Sequence, residues 1–165
     1  MPEKKTLERA RKDKRSGKAP STQAGEFVRE EMEHVRKGKH GARSTKQAIA
    51  IGLSKARRAG VRLRPPKKGA ASARTRESAR LAYQKGRKRW SRKPSPTRSR
   101  AISKALRREG RRAATRPALA RQARRAARRR SARARSRSAR MGARKRSPAE
   151  RSRAARKAAR TRKRK

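Results

Sequence analysis

Cysteine is absent from these 165 residues, which excludes a disulfide framework and thiolate metal sites. Aromatics amount to 2% of the chain: one Phe, one Tyr and one Trp. Tyr83 and Trp90 have the chemistry to stack on unpaired bases, but two aromatics without a platform pattern favour packing roles. Nothing resembles an RNP motif, so sequence-specific RNA reading is not expected. The longest uncharged run, Gln47 to Ser54, is far too short to cross a bilayer. "MPEKKTLERARKDKR" holds no apolar h-region, so no secretory leader is predicted and a soluble, cytoplasmic protein is expected. No Ser/His/Asp set, P-loop or Gly-rich phosphate fingerprint occurs, which argues against an enzyme.

Acidic residues are scarce as well. There are 10, against 60 Lys and Arg, for a formal net charge of +50. A polycation of this kind gains free energy by releasing counterions from a polyanion. Fifty charges match about 25 base pairs of duplex, or about 85 Å, which an extended chain can cover. Nucleic acid, most of all duplex DNA, is the expected partner. Charged residues are 42% of the chain, and so hydrophilic a composition cannot bury much apolar surface. Most of it is therefore expected to be disordered when free.

Seven of the ten acids lie within the first 33 positions, which divides a self-neutralising head from a tail that cannot neutralise itself. Residues 1–20 read as a basic arm with some helical character around Leu7. Residues 21–64 read as an antiparallel helical hairpin. Its first helix, about 22–37, starts on a Ser21 or Thr22 cap and carries Ala24, Val28, Met32 and Val35 on one stripe. Its second, about 45–59, opens on Ser44-x-x-Gln47, a capping box, and closes on Gly60. The expected hairpin core is Phe27, Val28, Met32, Val35, Ile49, Leu53 and Ala56. So few large side chains do not offset the entropy of ordering both helices. Self-association through the hairpin, packing by a further helix, or a ligand is needed.

Residues 65–72 form a Pro/Gly linker and 72–110 hold two short helices, one from Ser72 and one capped by Thr97 or Ser99. "KARRAG" and "KALRREG" echo each other too faintly to define a repeat. Residues 111–165 are an Arg/Ala-rich tail with 21 Arg, 4 Lys and a single acid, Glu150. Thr115 and Ser147-Pro148-Ala149-Glu150 look like helix starts, the latter a capping box with Pro at the first position. Like charges at i,i+4 oppose those helices in water, so the tail is expected to be coil until phosphates remove the opposition. The fold class is all-α, with largely disordered basic arms that become helical on nucleic acid.

The candidate phosphate contacts are Arg111, Arg112, Arg121, Arg124, Arg125, Arg128, Arg129, Arg130, Arg133, Arg135, Arg144, Lys145, Arg146, Arg153, Arg156, Lys157, Arg160, Arg162, Lys163 and Arg164. A merely solvated face would mix signs, and this one does not. "KPSPTR" and "KRSPAER" resemble the Ser-Pro-basic motifs of histone tails, although a helix cap accounts better for the second. "EEMEH" contains Glu31-x-x-His34, half of a di-metal carboxylate pattern, with His40 outside the helix. Those acids are expected to neutralise Lys55, Arg57 and Arg58, and no metal or cofactor is predicted. A helix-turn-helix over 22–60 is disfavoured because the second helix spends its surface on apolar residues.

"GKHGARSTKQAIAIGLSKARRAG" and the preceding "APSTQAGEFVREEMEHVRKGKHG" resemble a family of small basic bacterial proteins carrying a domain of unknown function, over about residues 19–68. The resemblance implies a bacterial source and a nucleoid-associated role, and it supplies no site residues. The tail is similar in composition to bacterial histone H1-like proteins, with Arg for most Lys. Sequence-independent DNA binding and compaction in the nucleoid is the expected function. An RNA-binding or ribosome-associated protein is the first alternative. A membrane-active cationic protein is the second, lacking the apolar face interfacial helices need.

Overall fold

The computed structural model describes residues 2–87, 95–144 and 146–163. Eight α-helices and one 3-10 turn occur among them, and no strand: α1 (Lys4–Arg15), α2 (Pro20–Arg36), α3 (Thr45–Arg58), α4 (Ala73–Arg87), α5 (Pro96–Arg108), the 3-10 turn (Arg112–Ala114), α6 (Arg116–Arg128), α7 (Ala132–Arg144) and α8 (Pro148–Lys163). The chain divides into two units, Met1–Gln122 and Ala123–Lys165.

The first unit is built on α2 and α3. α2 begins earlier than the Ser21/Thr22 caps suggest, because Pro20 occupies its first turn, where a missing N–H costs nothing and the fixed φ is already helical. It stops at Gly38, whose φ of +72° only glycine adopts freely. There the Lys39 N–H donates back to the His34 carbonyl at 3.0 Å. α3 opens on Ser44, whose hydroxyl accepts from the Gln47 N–H at 3.2 Å. The Gln47 side chain does not close the reciprocal box expected from the sequence. Its Oε1 accepts instead from the Arg43 N–H, one residue earlier, at 2.8 Å.

Small residues set the α2–α3 seam. Gly52 lies against the Val28 backbone, Ala56 packs with Ala24 and Phe27, and Ala48 packs with Met32 and Val35. Early residues of α2 thus meet late residues of α3, so the two helices run in opposite directions. Phe27, Met32, Val35 and Ala56 are buried as expected. Val28, Ile49 and Leu53 are only half-buried, which corrects the expected core. With glycine and alanine at the seam the backbones approach too closely to seat larger side chains between them, so these three lie at its edges.

Two segments that read as arms complete this core. α1 lays Leu7 and Ala10 against Ala24, Phe27, Ala56 and Val61, and buries Thr6, Ala10 and Asp13. The expected disordered N-terminal arm is therefore a docked helix. At the opposite end Ala113 and Ala114 enter the cluster of Met32, Val35, Ala42 and Ala48. The Thr45 hydroxyl donates to the Ala113 carbonyl at 2.7 Å, and Arg36 Nε donates to the Ala114 carbonyl at 2.9 Å. The beginning of the Arg/Ala tail thus belongs to the head. α4 packs on α3, with Gly86 against the Arg57 carbonyl. The end of α5 meets the α2–α3 loop, where the Gly41 N–H donates to the Leu106 carbonyl at 2.8 Å.

The tail is helical where coil was expected. Ala and Arg are both strong helix formers. Each tail helix also has a hydroxyl cap: the N–H groups of Ala118, Ala134 and Glu150 donate to the side chains of Thr115, Ser131 and Ser147. α8 carries the full capping box, since Glu150 Oε2 accepts from the Ser147 N–H at 2.9 Å with Pro148 at the first position. Trp90, Lys93, Lys145 and Arg164, and the side chain of Lys163, lie outside the described residues.

Candidate nucleic-acid interface

The described tail arginines among the candidate contacts are all exposed, as is Lys157. Arg111, Arg112 and Arg121 belong to the first unit and the others, from Arg124 to Arg162, to the second. Salt bridges among the described residues run only between positions 3 and 80, so none involves a tail arginine. Glu150, the tail's one acid, is spent on capping α8.

The caps Thr115, Ser131 and Ser147 are spaced by 16 residues, and the segments between them align as a threefold repeat. Counting each cap as position 1, arginine recurs at position 7 (Arg121, Arg137, Arg153), position 10 (Arg124, Arg140, Arg156), position 14 (Arg128, Arg144, Arg160) and position 16 (Arg130, Arg146, Arg162). Alanine recurs at position 9 (Ala123, Ala139, Ala155) and position 13 (Ala127, Ala143, Ala159). Composition alone picked out most of these arginines but passed over Arg137 and Arg140. Their signal is the spacing, which a uniform Arg/Ala background conceals.

The head also carries basic concavities that sequence reading did not identify. One, of about 650 Å³, is lined by Lys14, Arg62, Arg64, Tyr83 and Arg87 around Gly60 and Gly86. Tyr83 is half-buried, with the Arg87 guanidinium 6.0 Å from its ring centroid. Another, along α5, is lined by Arg100, Lys104, Arg107 and Arg108. The first is assembled from α1, α4 and the segment after α3, which are far apart in sequence, so no local pattern announces it. The second follows from the three- and four-residue spacing of basic residues along one helix.

Two acidic groups of α2 turn inward. Glu30 and Glu31 are 4% and 0% exposed. Lys55 from α3 reaches both, with Nζ 2.6 Å from Glu31 Oε2 and 3.6 Å from Glu30 Oε1. His40 Nε2 lies 3.0 Å from Glu31 Oε1, and His34 Nε2 lies 2.9 Å from Glu3 Oε1. The expected neutralisation thus holds for Lys55 but not for its neighbours. Arg57 is buried and donates from Nε to the Leu63 carbonyl, and burial pushes its guanidinium pKa down. Arg58 donates to the Ser54 hydroxyl. The hydrogen bond from His34, then the one from Lys39, lowers the Glu3 carboxyl to about 2. Glu31, His34 and His40 bring one ligand atom each within 4.8 Å of one another, a donor set that could hold a borderline divalent cation.

Lys55 is the only ammonium on the Glu30–Glu31 pair among the described residues. Removing one partner of a buried ion pair leaves uncompensated charge and costs about 3–5 kcal/mol. Lys55→Met is expected to destabilise the head by about 3 kcal/mol in urea unfolding, with Lys55→Arg recovering most of that. A neutral result would show that the two carboxylates are not held as charges.

A model of a family of unknown function (DUF6496) matches residues 13–68. No curated protein and no solved structure matches the chain. The matched segment holds α2, α3 and the carboxylate–Lys55 cluster, whereas the repeats lie outside it. Among the described residues no helix is long and apolar enough to cross a membrane.

Proposed function

We propose that the protein binds duplex DNA without sequence preference and compacts it in the nucleoid, in the manner of a histone H1-like protein. The helical head serves as a platform, and the tail neutralises phosphates. The observation that carries this reading is a row of exposed tail arginines with no carboxylate in pairing distance among the described residues. Arginine forks a phosphate bidentately, which suits it to tight neutralisation. Phosphates against the tail also remove the like-charge repulsion that otherwise works against its helices. In the head, Glu30 and Glu31 turn inward to Lys55 and His40, which takes those two carboxylates off the surface that faces a polyanion.

Binding to a random-sequence duplex should weaken steeply with salt, with a log–log slope of about −0.9 per neutralised phosphate. Six or more contacts would cost about 10³-fold or more in affinity between 50 and 200 mM salt. Fluorescence anisotropy on a labelled duplex measures this directly. A shallow slope sinks the reading, and structured RNA outcompeting the duplex at fixed salt would transfer it to RNA.

A further inference from the structure

We infer that the tail is an array of three equivalent phosphate-binding helices, each engaging duplex DNA through the arginines at positions 7, 10 and 14 of its 16-residue repeat. The inference rests on the DNA-binding reading above and goes beyond it, because it assigns the contact to a face and a module rather than to charge as such.

Three observations carry it. The first is the period. Hydroxyl caps recur at Thr115, Ser131 and Ser147, and each accepts from the N–H three residues on. Each repeat therefore starts its own helix. The second is the face. At 3.6 residues per turn, positions 7, 10 and 14 fall within about 60° of one another, while the alanines at 9 and 13 sit about 110° further round the helix. In the second repeat this puts Arg137, Arg140 and Arg144 together, all exposed, with Ala139 and Ala143 on the adjoining face.

The third is the energetic cost of that arrangement. Crowding like charges at i,i+3 and i,i+4 spacings destabilises an isolated helix. Recurrence of this three-arginine cluster at the same positions three times makes sense against a surface that is itself a regular array of negative charge, and duplex DNA is one. Three arginines per repeat would neutralise three phosphates each, giving a slope of about −2.7 per repeat and about −8 for the array.

The test uses the full chain, with a 40-base-pair random duplex and anisotropy titrations across salt. One variant exchanges Arg and Ala within every repeat, moving the arginines at positions 10 and 14 to positions 13 and 9. In the second repeat this is Arg140→Ala with Ala143→Arg, and Arg144→Ala with Ala139→Arg. Composition, net charge and helix propensity are unchanged. The expected result is a loss of at least about tenfold in affinity at 200 mM salt and a slope shallower by about five. A second variant deletes residues 131–146, joining two intact repeats, and should make the slope shallower by about 2.7. Circular dichroism checks that helix content is kept in the exchange variant. The face assignment is overturned if the exchange variant binds as the parent does, and the module assignment if the deletion leaves the slope unchanged. Failure of the parent itself to bind the duplex would sink the underlying DNA reading instead.

Discussion

A chain ending at Gln122 should keep its fold and lose most of its grip on DNA, whereas one ending at Gly110 should lose fold stability as well. The first cut removes seventeen arginines and four lysines against one glutamate, Glu150, and with them eight of the nine repeat-face arginines. Eight phosphate contacts correspond to a slope change of about seven, which at 200 mM salt is at least a 100-fold loss in affinity. The first unit extends through Gln122, so urea unfolding of the shortened head should be unchanged. The second cut also takes away Ala113 and Ala114, which are 7% and 1% exposed, together with the acceptors for Thr45 and Arg36. Two hydrogen bonds at about 1 kcal/mol each, plus the alanine contacts, come to about 3 kcal/mol. That is a large share of the usual 5–15 kcal/mol. Equal stability of the two shortened chains would show that the 112–114 turn does not belong to the core. Equal DNA affinity of the Gln122 chain and the full chain would move binding to the head concavities around Arg62 and Arg87.

The difference between these two cuts marks where sequence reading stopped. An all-helical chain was legible from composition and caps, and α3 was legible nearly to the residue because Ser44 and Gly60 carry unambiguous start and stop chemistry. The closing of the core was not. Ala113 and Ala114 sit in an Arg tract and offer no apolar periodicity. They are buried against Met32, Val35, Ala42 and Ala48, residues remote from them in sequence. α1 escaped for a similar reason, since Leu7 is its only large apolar side chain and its docking depends on Phe27 and Val61 from elsewhere in the chain. His40 read as a loop residue outside any site, and the turn at Gly38 is what returns it to Glu31. In the tail the obstacle was the reverse. Arg and Ala are so abundant that a composition-based reading saw one basic material, and the 16-residue period emerged only when Thr115, Ser131 and Ser147 proved to cap successive helices.

Alanine substituted at Gly25 and at Gly52 should move stability in opposite directions. Both glycines lie inside helices, where alanine is favoured by about 0.5–1 kcal/mol through backbone entropy. At Gly25 in α2 an added methyl meets nothing within 4 Å, so that gain should appear undiminished as a higher urea midpoint. At Gly52 in α3 the methyl would come 2.7 Å from Val28 Cα and 3.0 Å from the Phe27 carbonyl oxygen. Both neighbours are α2 backbone, so neither can rotate away and the helices must separate. Overpacking of this kind costs about 1–3 kcal/mol, which outweighs the propensity gain. Separation would also loosen Ala48 from Val35 and lengthen the Lys55 contact to Glu31, since both span the same seam. Gly52→Ala should therefore lower the midpoint and diminish the effect of Lys55→Met when the two are combined, because the contact that Lys55→Met removes is already weakened. A stabilising Gly52→Ala would mean that the α2–α3 backbones are not in contact, and the small-residue seam that leaves Val28, Ile49 and Leu53 at the edges would have to be abandoned.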